Sequence, residues 1–216
     1  MKRLLSILAL VILLAPCIVV ADVAGTAHDL SAGLTTTEVC VFCHTPHGGG
    51  TIGPLWNHSP STSAVADYGA YSSSTMDTPG GTGGTFAPND GSTSALCMGC
   101  HDGTVGVGSM VNNPNQGGAP TNAGTLIGAI GTGSADLGED ISNDHPVNFA
   151  YNNALFLADG ELEDPATLPA AITLFGAGND QLECASCHDP HEDVIPTFLV
   201  IDNTVASALC STCHMK

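Results

Sequence analysis

Cys184-Ala-Ser-Cys187-His188, continued by Asp189-Pro190-His191, decides how the rest of the chain is read. The same pentad recurs as Cys40-Val-Phe-Cys43-His44, Cys97-Met-Gly-Cys100-His101 and Cys210-Ser-Thr-Cys213-His214. Only Cys17 falls outside the four copies. Two thiols at this spacing with an imidazole directly after them form the attachment site of a c-type haem. The thiols add to the haem vinyl groups as thioethers, and the histidine binds iron from one side. The four pentads therefore read as a tetrahaem c-type cytochrome. Zinc sites use Cys-x-x-Cys pairs but do not demand a histidine after each second cysteine. Four disulfides in an exported protein would leave the four histidines unexplained.

Working outward, Met1-Lys2-Arg3 is a positive n-region and Leu4 to Val20 an apolar run, with a small residue, Ala21, before Asp22. Residues 1–21 are expected to be a cleaved secretory signal peptide that carries Cys17 away. Proline before Cys17 makes a poor lipoprotein box. Nothing later is long and apolar enough to span a bilayer, so the expected location is secreted, extracellular or at the cell surface, with the periplasm as the alternative.

Loss of Lys2 and Arg3 leaves Lys216 against 21 acidic residues, a formal charge of −20. Nucleic acid is excluded as a partner, because nothing neutralises phosphate. The charge favours cationic partners or surfaces, and it favours ferric over ferrous iron. Carboxylate clusters at Glu139-Asp140 and Glu161-Leu-Glu163-Asp164 read as solvated loops before they read as calcium sites.

Two stretches, 72–94 and 103–138, are crowded with Gly, Ser, Thr, Asn and Pro and show no usable period. By composition alone they read as disordered. Haem is expected to supply the missing core. The expected fold is mostly irregular coil with a few short helices at the motifs and almost no sheet. Ser92-Thr93-Ser94, Thr35-Thr36-Thr37, Asn179-Asp180 and Asn203-Thr204 offer helix N-caps just ahead of the motifs.

An internal repeat organises 22–216. His28, then Cys40-x-x-Cys43-His44-Thr-Pro-His47, then Ser94-Ala-Leu-Cys97 correspond to His145, then Cys184-x-x-Cys187-His188-Asp-Pro-His191, then Ser207-Ala-Leu-Cys210. The repeats run from about 22 to 102 and 139 to 216. They are expected to form one unit, since neither half shows an apolar core of its own.

The segments Val39-Cys-Val-Phe-Cys-His-Thr-Pro-His-Gly48, Gly53-Pro-Leu-Trp-Asn-His58, Leu96-Cys-Met-Gly-Cys-His-Asp-Gly-Thr104, Asn143-Asp-His-Pro-Val147 and Glu183-Cys-Ala-Ser-Cys-His-Asp-Pro-His191 resemble doubled-CxxCH multihaem cytochromes. Within that family the chain is similar to the tetrahaem subunits of extracellular cytochrome filaments, the OmcE type. The resemblance implies bis-histidine haems in a continuous stack and subunits polymerised end to end. It alone brings in the homopolymer and the extracellular electron acceptors as partners.

Beyond the motif histidines stand His28, His47, His58, His145 and His191, five candidate sixth ligands for four irons. Methionine is the rival ligand. Met98 and Met215 lie within or beside motifs, and Met76 and Met110 sit in loops. Repeat logic assigns His47 and His191 to the second and fourth haems and His28 and His145 to the first and third. His58 is then spare. If His58 instead closes a haem internally, His28 near the mature N-terminus is free to reach the next subunit.

Closed irons and the lack of internal Lys or Arg point away from catalysis. The expected function is electron transfer along a filament. A monomeric tetrahaem shuttle is the alternative, and a multihaem reductase ranks below both.

Overall fold

The computed structural model describes residues 22–31, 38–53, 55–113, 123–130 and 135–215. The signal peptide expected at 1–21 and the caps expected at Thr35 to Thr37 lie outside them. Among the described residues no helix is long and apolar enough to cross a membrane.

The chain is mostly coil, as its composition predicts. Among the described residues there are four α-helices: α1 (Thr93–His101), α2 (Asn153–Asp159), α3 (Cys184–Cys187) and α4 (Ala208–Ser211). A 3-10 turn spans Val39–Phe42. The sheet is one antiparallel pair, β1 (Phe149–Ala150) against β2 (Gln181–Leu182), with Phe149 opposite Leu182.

Every motif is a helical turn. His44 N donates to Cys40 O at 2.8 Å, His188 N to Cys184 O at 3.1 Å and His214 N to Cys210 O at 3.0 Å. His101 closes α1 itself. Ser92 caps α1 as expected, its Oγ accepting from Ala95 N at 3.1 Å. Before α4 the cap is looser, with Asn203 Oδ1 reaching Leu209 N at 3.1 Å. Asn179 and Asp180 do not cap α3; Glu183 precedes it instead.

The apolar clusters differ from expectation. Tyr68, Phe86, Ala95, Met98 and Ile141 form one, and Tyr151, Leu155, Leu162 and Leu182 another. The first draws Ile141 of the second repeat against residues of the first repeat, and the other lies within the second repeat. The reason is local: sparse aromatics and aliphatics, scattered through coil, are drawn together by burial without any periodic pattern. Met98 is only 1% exposed within the first cluster.

A carboxylate anchors that first cluster beside His101. Asp102 is 4% exposed. Its Oδ2 accepts from the Tyr68 hydroxyl at 2.9 Å and from Ser61 Oγ, and its Oδ1 from Thr104 N and Oγ1, both at 2.9 Å. Four donors satisfy both oxygens, as a buried carboxylate requires.

Candidate haem-binding site

The motif histidines are held by backbone before any side chain is considered. His44, His188 and His214 sit in isolated bridges with Trp56, Leu199 and Leu162. His101 O accepts from Leu137 N at 2.9 Å.

Ring orientation follows from Nδ1. In His28 it meets Pro190 O at 3.2 Å, in His101 Ala135 O at 2.6 Å, in His145 Pro146 O at 2.9 Å and in His188 Thr197 O at 2.9 Å. In His191 it meets Asp189 Oδ1 at 3.1 Å. An Nδ1–H donated to an oxygen leaves the Nε2 lone pair for a metal. Burial holds the His28 and His101 imidazoles below their ordinary pKa, which favours the neutral form a metal needs.

Three pairs of rings then face one another. The centroids are 6.4 Å apart for His28 and His101, 6.1 Å for His44 and His191, and 6.4 Å for His145 and His214. Two imidazoles bonded to one metal at about 2.0 Å, each nitrogen about 1.1 Å from its ring centre, have centroids about 6.2 Å apart. The three separations fit one iron between each pair. The interplanar angles are 78°, 18° and 74°. The residues therefore fit c-type haem.

The pairing differs from repeat logic. His28 faces His101 rather than His44, His191 faces His44 rather than His214, and His145 faces His214 rather than His188. Only the His44–His191 pair joins the two repeats.

His28 is also no free arm. Asp22 bridges to Glu192, and the His28 ring stacks on Phe198 at 4.2 Å. The N-terminal segment folds back because both its backbone and its imidazole find partners in the second repeat. Phe198 belongs to a strained turn in which Thr197 and Phe198 take φ of 65° and 60°. Such a conformation costs about 1–2 kcal/mol per residue outside glycine. It aims the Thr197 carbonyl at His188 and the Phe198 ring at His28.

His58 has no ring partner among the described residues and lies beside the second motif. It is 2% exposed, with Nδ1 at 2.8 Å from Ser59 O and Nε2 at 3.2 Å from both Gly106 O and Cys100 Sγ. Both ring nitrogens are engaged with the backbone wrapped around the second motif. Ring contacts leave His188 and the exposed His47 unmatched. His47 is held by its carbonyl, which accepts from Asn112 Nδ2 at 2.6 Å.

The cysteines show how the motifs follow one another. Cys43 lies within electrostatic reach of Cys100, and Cys187 of Cys213. Between them the Cys97 and Cys184 thiols hydrogen-bond directly. Burial pushes the Cys43 and Cys187 thiols up to about 11. Cys97 donates to Cys184 and draws that thiol down, toward thiolate. Ser94 Oγ, which accepts from Cys184 N at 3.1 Å, ties the helix of the second motif to that of the third. Among the described residues no three His, Cys, Asp or Glu side chains converge on one point as a chelating cluster.

Sequence reasoning passed over the oxygen partners of the Nδ1 atoms, because a backbone carbonyl carries no residue signature. It also assigned no role to Glu183, although that residue directly precedes the third motif.

Residues 177–216, which hold the third and fourth motifs, match the doubled CXXCH motif family model. No curated protein matches the chain. The match supports a multihaem, c-type cytochrome-like protein with covalent haem attachment.

Proposed function

We propose that the chain is an exported electron conduit carrying four bis-histidine c-type haems, and that its copies polymerise into an extracellular filament. When bound, haem supplies one-electron redox chemistry without any bond made or broken in the protein. The residues hold and space the sites. The observation that carries the reading is four haem-attachment pentads accompanied by three histidine pairs at one-iron spacing. Irons closed by two imidazoles have no open position for a substrate, which favours a carrier over a reductase.

Polymerisation follows from what is left over. His188 has its Nδ1 fixed by Thr197 O, and exposed His47 has no ring partner among the described residues. His47 of one copy closing the His188 site of the next completes the fourth iron and joins the subunits. An iron–imidazole bond there helps to offset the repulsion between subunits of formal charge −20, which salt screens further.

Electron microscopy of secreted protein, with the mass of the denatured chain, tests this. Filaments of subunits weighing four haems more than the polypeptide are expected, and His47→Ala is expected to give secreted monomers with one iron opened. Monomeric wild type with every iron six-coordinate would mean a shuttle that closes all four sites within one chain.

A further inference from the structure

We propose that Glu183 is a positioning residue that docks the second repeat onto the first and so sets the separation of the two central haem-attachment sites. The proposal rests on the conduit reading above.

Glu183 is 5% exposed, yet its carboxylate points across the repeat boundary. Its Oε2 accepts from Thr93 N at 2.6 Å and from Thr93 Oγ1 at 2.8 Å. Thr93 is the first residue of α1, so the charge sits at the positive end of that helix. Among the described residues there is no Lys or Arg to pair with it, and the helix end and hydrogen bonds stabilise the carboxylate.

A second tie runs beside the first. Ser94 Oγ accepts from Cys184 N at 3.1 Å, and Glu183 N donates to Ser186 Oγ at 3.0 Å. Ser94 and Ser186 are both fully buried. Each of these polar groups has a partner, which makes the seam specific in its geometry: a slipped docking would strand a buried charge.

Two motifs are thereby pinned at their N-terminal ends. α1 carries Cys97 and Cys100, α3 carries Cys184 and Cys187, and the Ser94–Cys184 bond brings the starts of the two motifs side by side. With haem attached, these cysteines would carry the two central groups, and electron transfer between them would depend on how far apart the two helices hold them. Glu183 governs how close the two attachment points stand.

The test uses haem-loaded wild type, Glu183→Gln, Glu183→Ala and the milder Thr93→Val. Haem number is read by denatured mass, docking by amide exchange at Thr93 and Cys184, and site coupling by exciton splitting in Soret circular dichroism. Losing two charge-assisted hydrogen bonds is expected to lower the docked-to-open ratio about tenfold or more in Glu183→Ala. Exciton splitting is expected to weaken in the order wild type, Gln, Ala, with haem number and low-spin ligation retained. Unchanged exchange and splitting would overturn the proposal, as would lost protection with splitting intact. Fewer than four haems in wild type overturns the conduit reading instead, and amide exchange still decides whether Glu183 docks the repeats.

Discussion

His44 and His191 stand face to face across the two repeats, their ring centres 6.1 Å and their planes 18° apart. The pair sets a residue that follows the third motif against the histidine of the first. His44 is additionally edged by Trp56 at 6.1 Å, so its ring is bounded on two sides.

Substitution of His191 is therefore expected to open the iron at His44 and leave those at His101 and His214 unchanged. Paramagnetic resonance should show one high-spin haem per chain, and carbon monoxide should bind at one site. His28→Ala should do the same to the His101 site. His191→Met should keep six-coordination and raise one potential, as thioether ligation does. A variant of His191 that leaves every iron low-spin would break the pairing.

His58→Ala should behave differently. The buried ring, kept neutral by burial, has one N–H to give to Ser59 O or Gly106 O, and losing that bond and the packed ring costs about 1–3 kcal/mol in stability. Thermal unfolding should shift downward while the low-spin spectrum is unaltered. High-spin iron in this variant would make His58 a ligand after all.

The Tyr68 and Tyr151 phenols are held well above their ordinary value, burial being the main cause. A raised folded-state value means the folded chain keeps protons that the unfolded chain releases. Stability from both is thus full below about pH 10 and declines as pH rises beyond it. Tyrosinate absorbance should develop together with unfolding for these two residues. Their ionisation in a fully folded protein at moderately alkaline pH would contradict this burial.

In haem-free protein Cys184 should be alkylated ahead of Cys43 and Cys187. Its thiol is drawn toward thiolate by the Cys97 hydrogen bond, whereas theirs are pushed up to about 11. Peptide mass mapping after peptic digestion reads the order, since trypsin has no internal site between Arg3 and Lys216. Cys43 or Cys187 reacting first would refute it.

The pentads alone determined covalent haem attachment, the proximal histidines and a fold of coil punctuated by helical turns. Those features are local: a thiol, a second thiol three residues on and an imidazole are fixed by chemistry within five positions. N-capping by Ser92 was legible for the same reason. Which histidine faces which was decided only by tertiary structure, because a long coil with no periodic pattern returns through contacts between remote backbone groups. Pro190 O turned His28 inward, Gly106 O engaged His58, and the strained turn at Thr197 and Phe198 aimed two sites at once. The Glu183 seam was hidden likewise: its partners at Thr93 and Ser94 lie in the other repeat, and each residue by itself reads as an ordinary polar position.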